Sequence, residues 1–283
     1  MRKEDMEIAK LKGNKIRKDL LHVKNGPVFL ILISIFLGLA SCEKVIHLDL
    51  NNTSPKVVIQ ANIYDHSGPY YVKISKTVNF EESSVYPPVT GAQVEITDNF
   101  GQTELLSESE SGTYVTSEIR GIPGHTYQLT VKTSGSTYKS SSTIPYPVEM
   151  DSIYFSTSPF SGDKVTTVRF TDPPFTLNYY RLVYFINNQQ QKPFYILNDE
   201  LYQGASIRYS LMSRGSDINL KPGDDVTVWL ESIDNGAFDY FRTVSTDGGQ
   251  SASPSNPVSN ISNGALGYFN ACSIRKISGK VGH

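Results

Sequence analysis

The chain has 283 residues, 39% hydrophobic and 19% charged, a balance that supports a folded body and excludes a disordered one. Its 26 Lys and Arg nearly cancel 28 Asp and Glu, so no net field favours nucleic acid or a strongly charged substrate. The 17 Tyr and 13 Phe suit pleated surfaces better than helices, and a β-rich chain of this length most often divides into two domains.

Residues 1–25 are polar and mostly basic, and residues 27–39 (PVFLILISIFLGL) then run without a charge. This is the order of an export signal, and the apolar run is shorter than the roughly 20 residues a transmembrane helix needs. Directly after it, Leu39-Ala40-Ser41-Cys42 resembles the lipobox of bacterial lipoprotein signal peptides. Small side chains admit the backbone to a narrow peptidase cleft. The Cys42 sulfur is the nucleophile that takes a diacylglyceryl group, and cleavage leaves it as the new N-terminus. Two or three palmitate-like chains at Cys42 would make the membrane anchor effectively permanent. Residues 1–41 therefore read as a removed lipoprotein signal peptide and 42–55 as a tether.

Alternating, β-branched stretches predict strands over 56–63, 70–75, 92–97, 113–116, 126–133 and 137–142. Gly-containing turn signals at 98–101, 111–112, 122–124 and 134–135 separate them. Short strands at this spacing predict an immunoglobulin-like β-sandwich over 56–144. The joint Ile144-Pro145-Tyr146-Pro147-Val148 withholds two ladder donors and marks a boundary. Just beyond it, Asp151-Ser152-Ile153 matches a three-residue acceptor pattern for bacterial O-glycosylation, which singles out Ser152.

A second β-rich domain is expected over 149–283, with strands at 152–157, 165–171, 179–187, 192–197, 206–211 and 225–233. Asp172-Pro173-Pro174 and Lys221-Pro222-Gly223-Asp224 interrupt them. Residues 235–245 place Phe238, Phe241 and Arg242 at helical spacing, with Asn235 in the cap position, and predict one short helix. Residues 247–260 read as a loop. Gly264 to Phe269 (GALGYF) reads as a final strand with Tyr268 or Phe269 in the core and Gly267 at a bulge; the alternative is a sugar- or peptide-stacking aromatic pair. Cys272 reads as a small buried hydrophobe. Tyr70, Tyr71, Tyr179, Tyr180, Tyr195 and Tyr202 read as exposed rings that line a binding face or pair across strands.

Catalytic chemistry finds little purchase. The five histidines (His22, His47, His66, His125, His283) form no zinc-binding spacing, and there is no G-x-S-x-G elbow and no phosphate-binding loop. Asp224-Asp225, Asp234 and Asp239 are the carboxylates that a glycosidase reading would pair. The simpler reading places the first two in a Pro-Gly turn and Asp239 on an exposed helix face. No catalytic residue, cofactor or metal is expected.

Five segments are similar in order and wording to a family of Bacteroidota lipoproteins known as domain of unknown function 4249: SCEKVIHLDL (41–50), VVIQA (57–61), PVTGAQV (88–94), GIPGHTY (121–127) and NPVSNISNGALGYF (256–269). The resemblance spans nearly the whole mature chain. It implies an outer-membrane lipoprotein, commonly encoded beside TonB-dependent outer-membrane transporters, with an N-terminal β-sandwich and no established activity. The expected function is thus a membrane-anchored, non-catalytic accessory lipoprotein that captures a solute or docks on such a transporter. The alternative is a structural or adhesive surface protein, and a third, weaker reading is a glycan-processing enzyme.

Overall fold

The computed structural model describes residues 54–78, 85–158, 162–200, 202–212, 218, 220–247 and 256–282. Leu39, Ala40, Ser41 and Cys42, the whole 1–41 segment and all but the last two residues of 42–55 lie outside them, as does most of the 247–260 loop.

The fold is all-β with one helix among the described residues. In chain order the strands are β1 (Val57–Tyr64), β2 (Tyr71–Lys76), β3 (Gln93–Asp98), β4 (Thr103–Leu105), β5 (Ser107–Glu110), β6 (Thr113–Val115), β7 (Thr126–Thr133) and β8 (Ser136–Thr143). Then come β9 (Met150–Thr157), β10 (Lys164–Thr171), β11 (Tyr179–Ile186), β12 (Gln189–Asn198), β13 (Ser206–Leu211) and β14 (Asp225–Ile233). Helix α1 (Asn235–Asp247) and the 15-residue strand β15 (Leu266–Lys280) follow.

An eight-stranded sheet in the order β12-β11-β14-β15-β1-β2-β6-β5 runs through the molecule. Its continuity rests on β15. The first half of that strand pairs in parallel with β1, from Val58 opposite Leu266 to Tyr64 opposite Cys272. The second half pairs antiparallel with β14, from Ser232 opposite Ser273 to Asp225 opposite Lys280. The chain's last strand therefore serves both the 56–144 sandwich and the strands after the proline joint. Arg275 reinforces the junction, since its guanidinium reaches Asp65 Oδ2 at 2.8 Å and Glu149 Oε1 at 2.5 Å.

Two smaller sheets cover one face. The four-stranded β4-β3-β7-β8 sheet closes the first core, in which Ile59, Ala61, Ile63, Val72 and Ile74 meet Val94, Ile96, Leu129 and Val131. The period-2 alternation of these strands explains which side chains face inward. The three-stranded β13-β10-β9 sheet closes the second, where Val168, Phe170, Ile207 and Leu211 lie with Tyr180, Leu182, Tyr184, Val226, Val228 and Leu230. Helix α1 lies on the opposite face of the large sheet and buries Ala237, Phe238 and Phe241 with Ile233, Cys272 and Ile274.

Several local expectations need correction. The cap of α1 is Asp234, not Asn235: Asp234 Oδ1 accepts the Ala237 N–H at 2.9 Å. Gly267 is not a bulge, because the β1–β15 register runs through it unbroken; it has φ +98°, and a side chain there would run into the Ile59 carbonyl. Tyr70, Tyr180 and Tyr195 are buried, and only Tyr71 and Tyr202 of the six tyrosines are exposed. Burial wins at Tyr70 and Tyr180 because each hydroxyl finds a partner inside, the Tyr64 and His66 carbonyls for the first and Asp172 for the second. In the GALGYF segment Phe269 is fully buried and Tyr268 packs on Tyr240 and Phe241 of α1, so the aromatic pair belongs to the structure.

Candidate functional site

At one end of the second core two loops lie side by side. The first, residues 172–178, joins β10 to β11, and the second, residues 199–205, joins β12 to β13. Their backbones are stitched together where the strands stop: Asp172 N–H donates to the Ala205 carbonyl at 3.0 Å and Asp199 N–H to the Asn178 carbonyl at 3.2 Å. Asp172 is followed by Pro173-Pro174, which cannot continue a ladder, so the chain must leave the sheet there.

The outer surface of this loop pair carries three exposed apolar side chains among polar ones. Phe175 is 97% exposed, and Leu177 and Tyr202 are also exposed. Phe175 has φ +67°, a left-handed conformation that is a genuine outlier for a bulky side chain and costs on the order of 1–3 kcal/mol. A strained backbone that presents a full aromatic ring to water contributes nothing to the core. Such exposure makes Phe175 a candidate contact residue.

Beneath this surface two acidic side chains are buried. Asp172 is 1% exposed and Asp199 is 0% exposed, and the Asn178 amide nitrogen stands between their carboxyl groups, 3.5 Å from Asp172 Oδ1 and 3.2 Å from Asp199 Oδ2. Tyr180 donates its hydroxyl to Asp172 Oδ1 at 2.6 Å, and Gly204 N–H donates to Asp172 Oδ2 at 3.2 Å. The Asn178 side-chain amide reaches Asp199 Oδ2 at 3.2 Å and the Thr176 carbonyl at 2.9 Å, and the Gln203 amide reaches the same two oxygens at 3.3 and 3.1 Å. Burial pushes the Asp172 carboxyl above its ordinary range, and the neighbouring Asp199 adds to that shift against the pull of Tyr180 and Gly204.

Other sequence-derived candidates fall elsewhere. Ser152 is half-buried on β9, at the end of the three-stranded sheet, opposite Arg169 of β10. The carboxylates of the glycosidase reading do not converge: Asp224 and Asp225 lie at the start of β14 while Asp234 and Asp239 follow its end, roughly 25 Å apart at the usual rise per residue. Asp224 accepts from Lys221 N–H and Asn187 in its turn, and Asp234 caps α1. Cys272 is fully buried, and burial first, then nearby Glu231, pushes its thiol well up. A second exposed aromatic group stands on the first sandwich, where Phe100 stacks on His125 at 4.2 Å near the exposed Ile122 and Tyr146. Sequence reasoning missed Asp172, Phe175, Asn178, Asp199 and Gln203. The one available signal was that an aspartate follows the last residue of both β10 and β12.

Comparison with known proteins gives two findings. The family model described as Domain of unknown function (DUF4249) matches residues 43–278. Among solved structures, a two fibronectin type-III domain segment from chicken tenascin matches 82% of this chain and 100% of its own, at 14% identity and a TM-score of 0.23. No curated protein matches the chain. Among the described residues no helix is long and apolar enough to cross a membrane.

Proposed function

This chain belongs to the DUF4249 family, and from that membership we propose that it is a Bacteroidota outer-membrane lipoprotein, anchored through lipid on Cys42, that works as a non-catalytic accessory to a TonB-dependent transporter. The observation that carries the reading is Leu39-Ala40-Ser41-Cys42 placed directly behind an uncharged apolar run, with a folded β body after it. Small residues before a cysteine at that position serve acylation and cleavage, and the acyl chains supply the membrane anchor. The exposed Phe175, Leu177 and Tyr202 are the surface nominated for the partner or its solute. Aromatic anchors of this kind dominate contact energies once a partner desolvates them. The wider family association with transporters supports the choice of partner by association only. As a further element of the reading, Ser152 carries a glycan beside the proline joint.

The test is an affinity pull-down of the lipidated protein from its own membranes under mild detergent, run beside Cys42→Ala and Phe175→Ser. Enrichment of one TonB-dependent barrel, lost with Cys42→Ala and weakened with Phe175→Ser, supports the proposal. Retention at the membrane with no barrel enriched removes the transport reading in favour of an adhesive or structural role. Intact-mass measurement of the same preparation reads the acyl chains on Cys42 and any added hexose, and a native mass without hexose removes the Ser152 assignment.

A further inference from the structure

We propose that the parallel ladder between β1 and β15 is a mechanical clamp, which keeps the body on its N-terminal attachment when the second half of the molecule is pulled away from it. The source of the pull rests on the Cys42 anchor reading. The clamp itself is testable in a chain without that anchor, so the two readings fail separately.

Three observations carry it. First, the two strands run the same way, and seven residue pairs lie in register from Val58 opposite Leu266 to Tyr64 opposite Cys272. The chain coming from Cys42 enters at the Val57 end of β1, whereas β15 leaves the ladder at the other end, past Cys272, and joins β14. A pull between the anchor and the second half therefore draws β1 backward and β15 forward along their own axes. Hydrogen bonds of a parallel pair are evenly spaced across that direction, so they share the force and must fail together.

Second, the far end of the ladder is fastened by the residue that follows β1. Asp65 N–H donates to the Cys272 carbonyl at 3.1 Å, Asp65 Oδ1 accepts Ile274 N–H at 2.8 Å, and Asp65 Oδ2 meets Arg275 Nη1 at 2.8 Å. The Asp65 side chain is only 5% exposed, so this latch is shielded from water. Third, the ladder is covered on both faces and bridged by side chains. Ile59, Ala61, Ile63, Phe269 and Ala271 point into the first core, while Tyr64, Tyr268 and Cys272 pack under α1. Within that layer Asn270 Nδ2 donates to Asn62 Oδ1 and Asn62 Nδ2 to the Tyr268 hydroxyl, each at 3.3 Å. Bonds screened from water are stronger and are not readily exchanged for water when stretched.

The competing explanation makes β15 a packing strand with no strength in a particular direction. Single-molecule force spectroscopy on the full chain, as Cys42→Ala in detergent, separates the two. One arrangement pulls between the N- and C-termini, which shears the ladder. The other pulls between the N-terminus and a handle at Asn263→Cys, an exposed position just before β15, which opens the ladder pair by pair from Val58 and Leu266. At one clamped force, unfolding in shear should be at least about a hundredfold slower, because several hydrogen bonds must break before the barrier instead of one. Asp65→Ala should then unfold at least about tenfold faster in shear yet stay within about threefold of the parent when opened pair by pair, because the latch is still closed at that barrier. Asp65→Asn, which keeps an oxygen for Ile274 N–H, should fall between the parent and Asp65→Ala in shear. Equal unfolding rates of the parent in the two directions overturn the clamp without reference to any variant. Acceleration by Asp65→Ala that is the same in both directions overturns the latch, since it would then show only a general loss of stability.

Discussion

Ser142 donates its hydroxyl proton to Asp234 Oδ2 across 2.7 Å, and this contact ties β8 of the first sandwich to the start of α1. The same Asp234 oxygen accepts Thr143 N–H at 3.0 Å, while Oδ1 accepts Ala237 N–H at 2.9 Å. Ser142 Oγ in turn accepts Ala271 N–H of β15 at 2.8 Å. One carboxylate thus caps the helix and closes the seam where the long final strand changes partners. Asp234→Ala removes a cap worth about 1 kcal/mol and orphans buried donors at about 1–3 kcal/mol, so a loss of about 2–4 kcal/mol is expected in urea unfolding. Asp234→Asn, which retains the capping oxygen, should lose clearly less. Equal losses for the two variants would show that the cap carries no separate weight.

A second prediction concerns Gly267. Its φ of +98° and the Ile59 carbonyl directly over its Cα leave no room for a side chain, because here the backbone of β15 approaches β1 across the parallel ladder. Gly267→Ala should fail to accumulate as folded protein or should lose more than about 4 kcal/mol. Gly264→Ala is the control, since Gly264 also has positive φ (+73°) but nothing within 4 Å, and about 1 kcal/mol is expected. Circular dichroism and denaturant midpoints distinguish the two.

These two residues also mark where sequence reasoning reached its limit. Strands β7, β13 and β14 and helix α1 were legible because alternation and helical spacing are local signals, and Gly/Pro clusters fixed most of the ends. Strands β4 and β5 (Thr103–Leu105, Ser107–Glu110) are too short and polar to show a period, and β5 is a wholly exposed edge. The reach of β15 from Leu266 to Lys280 was hidden because its inward face switches core midway: Phe269 and Ala271 point into the first, and Ile277 packs against the second. No local pattern announces a parallel partner some 200 residues away in sequence. The Asp172–Asp199 pair was hidden for the same reason, since two single aspartates at loop openings carry no motif until topology sets the loops together.

A third prediction tests the polar layer under α1. Arg181 Nη1 meets Glu231 Oε2 at 3.0 Å with both side chains largely buried, and the guanidinium stacks between Phe194 at 4.9 Å and Phe241 at 4.2 Å. Breaking a buried pair on one side leaves an uncompensated charge, so Glu231→Gln should cost about 3–5 kcal/mol. The double variant Arg181→Met/Glu231→Leu, which removes both charges, should recover most of that. Denaturant midpoints of the two proteins read the difference, and a double variant no better than the single would show that packing of the guanidinium dominates.

Cys272 offers a kinetic readout of the same layer. Its thiol is fully buried and pushed up by that burial, so in a Cys42→Ala background a thiol reagent at neutral pH should label it only as fast as the helix face opens. Glu231→Gln should accelerate labelling by at least about tenfold, because 1.4 kcal/mol of lost local stability is already a factor of ten. Rapid labelling of the unmutated protein would contradict the buried placement of Cys272.

The last prediction is the acid limit of the first sandwich. Glu104 of β4 is buried, which by itself pushes its carboxyl up, but four donors outweigh that and hold it below its ordinary value of 4.5. Oε1 accepts the N–H and hydroxyl of Ser117, and Oε2 accepts Glu118 N–H at 3.0 Å and Ile119 N–H at 2.7 Å. A carboxylate whose folded value lies below its unfolded value stabilises fully above pH 4.5, and that contribution is lost as pH falls through the lowered folded value. Stability measured in urea should therefore drop on acidification below pH 4.5. Glu104→Gln cannot ionise, so it should lose about 2 kcal/mol at pH 7 and show a shallower decline in that window. The two stability curves must converge at low pH, where the wild-type side chain is itself neutral. Parallel curves with no convergence would assign the acid sensitivity to other carboxylates, with Glu108, held low by the Gly91 and Gly112 N–H groups, as the next to substitute.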